Sequence, residues 1–175
     1  MRIDYKELTI RDAGAEDAAQ LAAWWNDGEV MAHAGFPHGL GTTAERIAED
    51  ISDDTDETRR RLIIEYAGRA IGETSYTNEG DVTASIGIKL CEKEYRERGL
   101  GRVLLSMLIK ELFARGYEKI ILDTNTNNTR AQHVYELLGF KKLRVNENAW
   151  KDQVGVWQSS VDYELTPESF RDFSV

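Results

Sequence analysis

The chain has 175 residues, of which 41% are hydrophobic and 30% are charged, and its formal net charge at pH 7 is −9. This size and composition predict one globular domain over residues 1–175, and the acidic balance argues against nonspecific binding to nucleic acid. The lack of a ~20-residue apolar run, of a signal-peptide pattern and of a second cysteine predicts a cytoplasmic protein with no membrane partner.

The first part of the chain contains one predicted strand and two predicted helices. Glu7–Arg11 is predicted to be a short strand, and Ala15–Asp27 and Thr43–Ile51 are predicted to be amphipathic helices. The segment Gly28–Gly41 between the helices contains four glycines, a proline and two histidines. This composition is typical of a loop.

Three strands joined by short turns are predicted next, at Arg61–Tyr66, Ala70–Thr77 and Val82–Leu90. The third has the clearest alternation of apolar and polar side chains. Leucine, valine and methionine at helical spacing then predict a helix that begins at Leu100. A basic residue and a glycine, Arg115-Gly116, are typical of its C-terminal end.

The last elements complete an α/β order. They are the strand Ile120–Asn125, the helix Asn128–Leu138, and the strands Phe140–Val145 and Val154–Leu165. The full order, β-α-α-β-β-β-α-β-α-β-β, predicts a mixed α/β domain with an antiparallel meander in the middle. Its central β-α-β step should have parallel, neighbouring strands.

A glycine-rich run, Tyr95–Arg102, leads into the long helix. Its glycines allow the backbone to approach a bulky anion, and a helix N-terminus offers unpaired N–H groups with partial positive charge. The run therefore predicts a phosphate site. It is not a dinucleotide fingerprint, because Leu104 stands where the third glycine is needed, and the G-x-x-x-x-G-K-[ST] pattern of a Walker loop is absent.

Two motifs together resemble the GNAT N-acetyltransferase superfamily. Arg96, Gly99 and Gly101 form an R-x-x-G-x-G pattern, and Asn128–Phe140 is similar to the family's N-x-x-A-x-x-x-Y-x-x-x-G-F signature at every fixed position. The resemblance covers Val82 to Phe140. It implies a single-domain GNAT fold with a mixed, mostly antiparallel sheet of about six or seven strands and about four helices.

The resemblance also implies that acetyl-CoA is the co-substrate and where it binds. Its pyrophosphate would lie on the amides of Arg98 to Arg102, and an N–H near Leu90 or Cys91 would face the thioester carbonyl. Tyr135 matches the family tyrosine at the CoA sulfur, where it would donate a hydrogen bond to the leaving thiolate. The remaining residues implied to bind the cofactor are Arg96, Gly99, Leu100, Gly101, Asn128, Arg130 and Ala131.

The general base stays open between two carboxylates. An alkyl amine with a pKa of about 10.4 needs nearly 5 kcal/mol to reach its neutral form at pH 7, so a base matters. Glu73 follows Gly72 on a predicted strand, and Asp123 lies on the strand before the second motif. The segment from Asp123 resembles some aminoglycoside 6′-N-acetyltransferases, where an aspartate serves the acceptor amine. Cys91 lacks a His-Asn partner pattern, which favours direct transfer.

The acceptor also stays open, between a protein or peptide N-terminus and a small cationic amine. Trp24–Val30 resembles the W-x-N-D-x-x-V stretch of ribosomal-protein N-terminal acetyltransferases, and Trp24, Trp25 and Trp150 are candidate acceptor-binding residues. Glu49–Glu57 has six acids in nine residues, which predicts either a negative rim for a polycation or a solvated loop balanced by Arg59–Arg61.

A function of another class, a non-catalytic acyl-CoA-binding sensor on the same fold, is the alternative. Tyr135 argues against it, because a pure binder does not need a phenol at the sulfur. Three histidines and one cysteine without ligand spacing predict no metal site. Members of the family are often dimers, so a homodimer is an expectation by analogy.

Overall fold

One sheet of eight strands forms the centre of the protein in a computed structural model that describes all of residues 1–175. The strands are β1 (Arg2–Tyr5), β2 (Leu8–Asp12), β3 (Arg59–Tyr66), β4 (Arg69–Gly80), β5 (Thr83–Leu90), β6 (Lys119–Asn125), β7 (Lys141–Lys151) and β8 (Trp157–Leu165). The helices are α1 (Ala18–Trp25), α2 (Gly28–Met31), α3 (Ala44–Ser52), α4 (Leu100–Ala114) and α5 (Thr129–Leu138).

The strand order in the sheet is β1-β2-β3-β4-β5-β6-β8-β7. Every neighbouring pair is antiparallel except β5 and β6, which are parallel and joined through α4. The predicted α/β fold with a mixed, mostly antiparallel sheet is therefore confirmed. No helix of the chain combines the length and apolar character needed to cross a membrane.

Two short elements were not predicted, and the last two strands have other bounds than predicted, since β7 extends beyond Val145 to Lys151 and β8 begins at Trp157 rather than Val154. Arg2–Tyr5 adds a first strand, which makes the predicted count of strands too low. Gly28–Gly41 is not all loop, because it contains α2 and a 3-10 turn over Ala32–Ala34. The Asp27 side chain accepts a hydrogen bond from the Glu29 N–H at 2.9 Å, and this N-cap starts α2 in spite of its glycine.

Helices cover both faces of the sheet. Helices α4 and α5 pack on one face over a core that includes Ile64, Leu108 and Ile120, all with 1% exposure or less. Helices α1 and α3 cover the other face around Ile63, through side chains such as Leu21.

The parallel strands β5 and β6 separate along their length. They pair only over Thr83–Ser85 and Lys119–Ile121. Beyond this point β5 continues to pair with β4, and β6 continues to pair with β8. The two strands consequently leave a gap at their C-terminal ends, which we call the β5–β6 gap.

Backbone donors of β5 face this gap. The Cys91 N–H donates to the Ile71 carbonyl on β4 at 2.9 Å. Successive N–H groups of a strand point to opposite edges, so the N–H groups of Leu90 and Ile88 alternate with it and point away from β4. The gap is therefore lined by strand donors that have lost their partner strand.

The turn between β4 and β5 holds a strained valine. Asp81 and Val82 have φ angles of 48° and 52°, the two successive positive values of a type I′ turn. Such a turn favours Asn and Gly, and a left-handed conformation costs other residues about 1–2 kcal/mol. Val82 was predicted to begin the strand, but the strand begins at Thr83.

We expect Val82→Gly to raise the free energy of unfolding by about 0.5–1 kcal/mol, after the extra unfolded-state entropy of glycine is subtracted. Little packing is lost, because Val82 is 49% exposed. The expected rise in Tm is about 1–4 °C, measured by thermal unfolding. Val82→Ala keeps a Cβ and should gain less. A Tm that falls in the glycine variant would contradict strain at this turn.

Candidate active site

A cleft of about 1220 Å³ passes through the β5–β6 gap and is lined from both faces of the sheet. The part lined by the loop before α4 and by the starts of α4 and α5 is called the α4 lobe. The part lined by α1, α2 and the strand residues on the opposite face is called the α2 lobe. Most of the predicted site residues line this cleft, and the exceptions are Trp24, Cys91 and Arg98.

The α4 lobe contains a run of free backbone donors. None of the N–H groups from Arg98 to Arg102 donates to an acceptor within the chain. Gly99 precedes α4 in a left-handed conformation, with φ 73°. A Cβ added at Gly101 would meet nothing within 4 Å, so the missing side chain leaves open space rather than room for another part of the chain. This arrangement suits a phosphate group.

Arg96 fastens this loop to the end of β5. Its guanidinium donates from Nε to the Leu90 carbonyl at 2.8 Å and from Nη2 to the Cys91 carbonyl at 3.0 Å. These bonds use part of its hydrogen-bonding capacity inside the protein. Arg96 therefore fixes the geometry of the loop as well as supplying positive charge.

The side chains of the other two predicted arginines of the loop lie in different places, one outside the cleft and one lining it. The Arg98 guanidinium lies 5.6 Å from the ring centre of Tyr66 and 5.5 Å from that of Tyr95, outside the cleft. The structure does not bring the Arg98 side chain to the cleft, because cation–π stacking holds it against the two tyrosines. Arg102 lines the cleft and packs over Phe173 at 5.2 Å.

The start of α5 forms the facing wall of the α4 lobe. The Asn128 side chain is its N-cap and accepts a hydrogen bond from the Ala131 N–H at 3.2 Å. Asn128 thus has a structural use that fixes the helix start. Arg130 forms an ion pair with Glu97 across the lobe, and both side chains are exposed. Glu97 was not predicted as a site residue.

Tyr135 presents a free hydroxyl to the cleft. Its side chain is buried and packs edge-on against Phe140 and Tyr163, but the hydroxyl has no hydrogen-bond partner within the chain. Burial first, and then the charge of Asp123, raise the pKa of Tyr135 to about 12. The phenol is consequently protonated at neutral pH and able to donate.

Cys91 has none of the properties of a nucleophile. It is buried against α1 and α3, and burial raises the pKa of its thiol to about 12. A neutral, inaccessible thiol does not attack a thioester. Since the Cys91 N–H is also bonded to Ile71, Leu90 is the one of the two predicted N–H donors that faces the gap.

Glu73 is held by two partners in the α2 lobe. Its Oε1 accepts a hydrogen bond from Trp25 Nε1 at 2.7 Å and lies 3.3 Å from Lys89 Nζ. The side chain is 13% exposed. Lys89 was not singled out from the sequence, because only the pairing of β4 with β5 brings it opposite Glu73.

Two of the three predicted tryptophans lie at the cleft, and the third lies in the core. Trp25 and Trp150 line the α2 lobe, and the Trp150 ring occupies the place that a Cβ on Gly35 would need. Trp24 is 5% exposed and donates from Nε1 to Glu92 at 3.0 Å. Trp24 is part of the core under α1, so the structure does not bring it to the cleft with the other two tryptophans.

Asp123, the second candidate base, has no hydrogen-bond or ion-pair partner within the chain. It opens into the α2 lobe and makes no side-chain hydrogen bond with another residue. The surrounding protein partly desolvates it, and this burial and the charge of Asp162, opposite it on β8, raise its pKa above the usual range. Asp162 instead bonds Arg144 at 2.7 Å, which lowers the pKa of Asp162. Asp123 thus differs from Glu73 in having no hydrogen-bond or ion-pair partner within the chain.

Three of the six acids in the run Glu49–Glu57 pair with arginines, and one of them, Asp50, lies 3.9 Å from Arg46. Asp54 pairs with Arg61, and Asp56 pairs with Arg60 at 2.7 Å. The interpretation as a loop balanced by arginines describes these three pairs, whereas Glu49, Asp53 and Glu57 have no salt bridge. No group of three or more His, Cys, Asp or Glu residues is arranged to hold a metal ion.

Residues 7–141 match the acetyltransferase (GNAT) domain. The chain belongs to this family, as the two motifs indicated.

Two curated relatives of the same name match part of the chain. The chain is 36% identical over 64 residues to the ribosomal protein bS18-alanine N-acetyltransferase of Salmonella typhimurium, covering 37% of this chain and 43% of that protein. The Escherichia coli enzyme of the same name is 39% identical over 57 residues, covering 33% and 38%. The matched part of the chain thus spans about two fifths of the length of these curated relatives.

Solved structures share the fold across nearly the whole chain. The spermidine N-acetyltransferase of Vibrio cholerae, in complex with CoA and spermine, has a TM-score of 0.81 at 20% identity and covers 93% of this chain and 97% of that chain. The ribosomal-protein-alanine N-acetyltransferase of Brucella melitensis has a TM-score of 0.76 at 20% identity and covers 90% and 98%.

Proposed function

We propose that this protein transfers the acetyl group of acetyl-CoA directly to a primary amine, either a protein or peptide N-terminus or a small cationic amine. One observation carries the proposal: a single cleft joins a loop of free N–H groups to an unpaired carboxylate, Asp123, with the free Tyr135 hydroxyl also facing that cleft. Family membership and the names of the relatives support the same activity.

The α4 lobe would hold the donor. The free N–H groups from Arg98 to Arg102 would bind the pyrophosphate, supported by the positive end of α4 and by Arg102. The Leu90 N–H would bind the thioester oxygen. A donor aimed at an oxygen that gains negative charge is worth about 2.7–4 kcal/mol in acyl transfer.

The α2 lobe would hold the acceptor, with Asp123 as the general base. Asp123 takes the proton of the amine as its nitrogen attacks the carbonyl carbon, so the C–N bond forms while the C–S bond breaks. Trp25 and Trp150 wall the lobe and limit how the amine approaches. Glu73 would have a positioning role, because Trp25 and Lys89 already engage it.

Tyr135 would stabilise the leaving thiolate through a hydrogen bond. Its pKa is about 12, whereas a thiol has a pKa of about 8.5. Full transfer of the proton from Tyr135 would therefore be uphill by about 5 kcal/mol. A hydrogen bond to the developing charge avoids this cost, and the thiolate can take its proton from solvent after release.

Release of CoA thiol from acetyl-CoA tests the function, with peptides, polyamines and aminoglycosides as separate acceptors. We expect thiol release that depends on an acceptor amine, with the acetyl group recovered on that amine. Binding of acetyl-CoA without thiol release for any amine would favour the alternative, a non-catalytic acyl-CoA sensor.

We also propose a cytoplasmic location and a homodimer for this protein. A cytoplasmic location is supported by the lone, unpaired Cys91 thiol, which suits a reducing compartment. A homodimer rests on analogy with the family alone.

A further inference from the structure

Three consecutive arginines begin β3, and they differ in their partners. Arg60 pairs with Asp56, and Arg61 pairs with Asp54. Arg59 has no salt bridge and no side-chain hydrogen bond within the chain, yet it lines the cleft. Arg59 is thus unpaired at the edge of the α2 lobe, whereas Arg60 and Arg61 form ion pairs with aspartates of the acidic run.

Arg59 and Asp123 lie on the same face of the sheet and at opposite sides of the lobe. The register runs from Arg59 through Thr77 and Ser85 to Ile121, two residues before Asp123 on β6. Three steps between strands of about 4.8 Å separate their backbones by about 14 Å or more. Because side chains alternate with a period of two, Ile121 and Asp123 point to one face.

Small side chains form the floor between these two charges. Ser75 lies in register with Arg61 on one side and with Gly87 on the other. Both Ser75 and Gly87 line the cleft. Ser75 and Gly87 therefore leave open space over this part of the floor, where an extended molecule can lie.

The other charges of the α2 lobe are matched within the protein. Lys89 pairs with Glu73, and Glu29 pairs with Lys93. With Arg61 paired as well, one carboxylate and one guanidinium remain for a ligand. These two charges suit a ligand that has a cationic amine at one end and an anionic group some distance away.

We propose that the acceptor is the N-terminus of a peptide with Asp or Glu as its second or third residue, and that Arg59 selects this acidic residue. This rests on the function proposed above and names the acceptor of the same site. A free amino acid is too short, since its amine and carboxylate share one carbon, whereas an extended peptide gains about 3.3 Å per residue. A polyamine would bring a second cation against Arg59.

Matched peptides that differ only at residues two and three test the proposal, with acidic, neutral amide and lysine versions. Measured as kcat/KM for thiol release, the acidic peptide should exceed the neutral one about tenfold. Arg59→Glu should remove this preference and make kcat/KM for the lysine peptide higher than that for the acidic peptide. Arg59→Lys should retain part of the preference.

Arg46→Glu is the control, because it makes the same charge change at an exposed residue of α3 outside the cleft and should leave the ranking intact. The role of Arg59 would be overturned if the protein without substitutions showed no preference among the peptides. It would also be overturned if Arg59→Glu lowered kcat/KM equally for all of them. Acetylation of small amines but no peptide would overturn the proposed acceptor and leave the function standing. No release with any amine would overturn both.

Discussion

Replacing Tyr135 with phenylalanine should lower kcat about 10–100-fold and leave the Kd of acetyl-CoA within about twofold. The ring that packs against Phe140 and Tyr163 is kept, and the hydroxyl lost has no partner inside the chain. What disappears is a hydrogen bond to a charged sulfur that exists only as the C–S bond breaks. Such a bond contributes about 1.5–3 kcal/mol.

Steady-state kinetics and calorimetric titration of acetyl-CoA separate these two effects. Tyr163→Phe is the matched control, because its hydroxyl contacts Glu136 at 3.3 Å outside the cleft. This control should keep its kcat. A Tyr135→Phe variant with full activity, or one whose binding weakens as much as its kcat falls, would contradict a role at the leaving sulfur.

Asp123→Asn should lower kcat about 100-fold or more, because the amide cannot accept the proton of the amine. The pKa of Asp123 is raised by burial and by Asp162. Below that pKa the carboxyl is protonated and cannot act as a base, so kcat should rise with pH through it. The variant should lack this limb, and its remaining pH dependence should follow the acceptor amine alone. The pH profile of kcat provides the measurement.

Glu73→Gln distinguishes the two candidate bases. Trp25 and Lys89 already engage the Glu73 carboxylate, so its removal should disturb the lobe and lower kcat only a few-fold. A larger fall for Glu73→Gln than for Asp123→Asn, with loss of the acidic limb, would reverse the assignment.

Long periodic elements were predictable because their signals are local. The helix that begins at Leu100 and the alternating strand before it required only side-chain spacing. The strand Arg2–Tyr5 and the helix Gly28–Met31 have four residues each, too few to show a period. Val82 continued the alternation in the sequence, but the two-residue turn imposed a positive φ that periodicity does not report.

Side-chain partners were not predictable where they come from distant parts of the chain. Arg98 appeared to belong to the phosphate loop, but Tyr66 and Tyr95 hold its guanidinium. Trp24 appeared to be a pocket residue, but Glu92, 68 positions away, accepts its N–H. Similarly, burial and then the charge of Asp162 raise the pKa of Asp123, and only the pairing of β6 with β8 brings Asp162 opposite it.

Direct transfer within one cleft requires acetyl-CoA and the amine to be bound at the same time. Initial rates measured while both substrates are varied should therefore give intersecting lines in double-reciprocal plots. Mass spectrometry of the protein after incubation with acetyl-CoA alone should find it unmodified, because the buried Cys91 has a pKa of about 12. Parallel lines together with an acetyl group on Cys91 would contradict direct transfer.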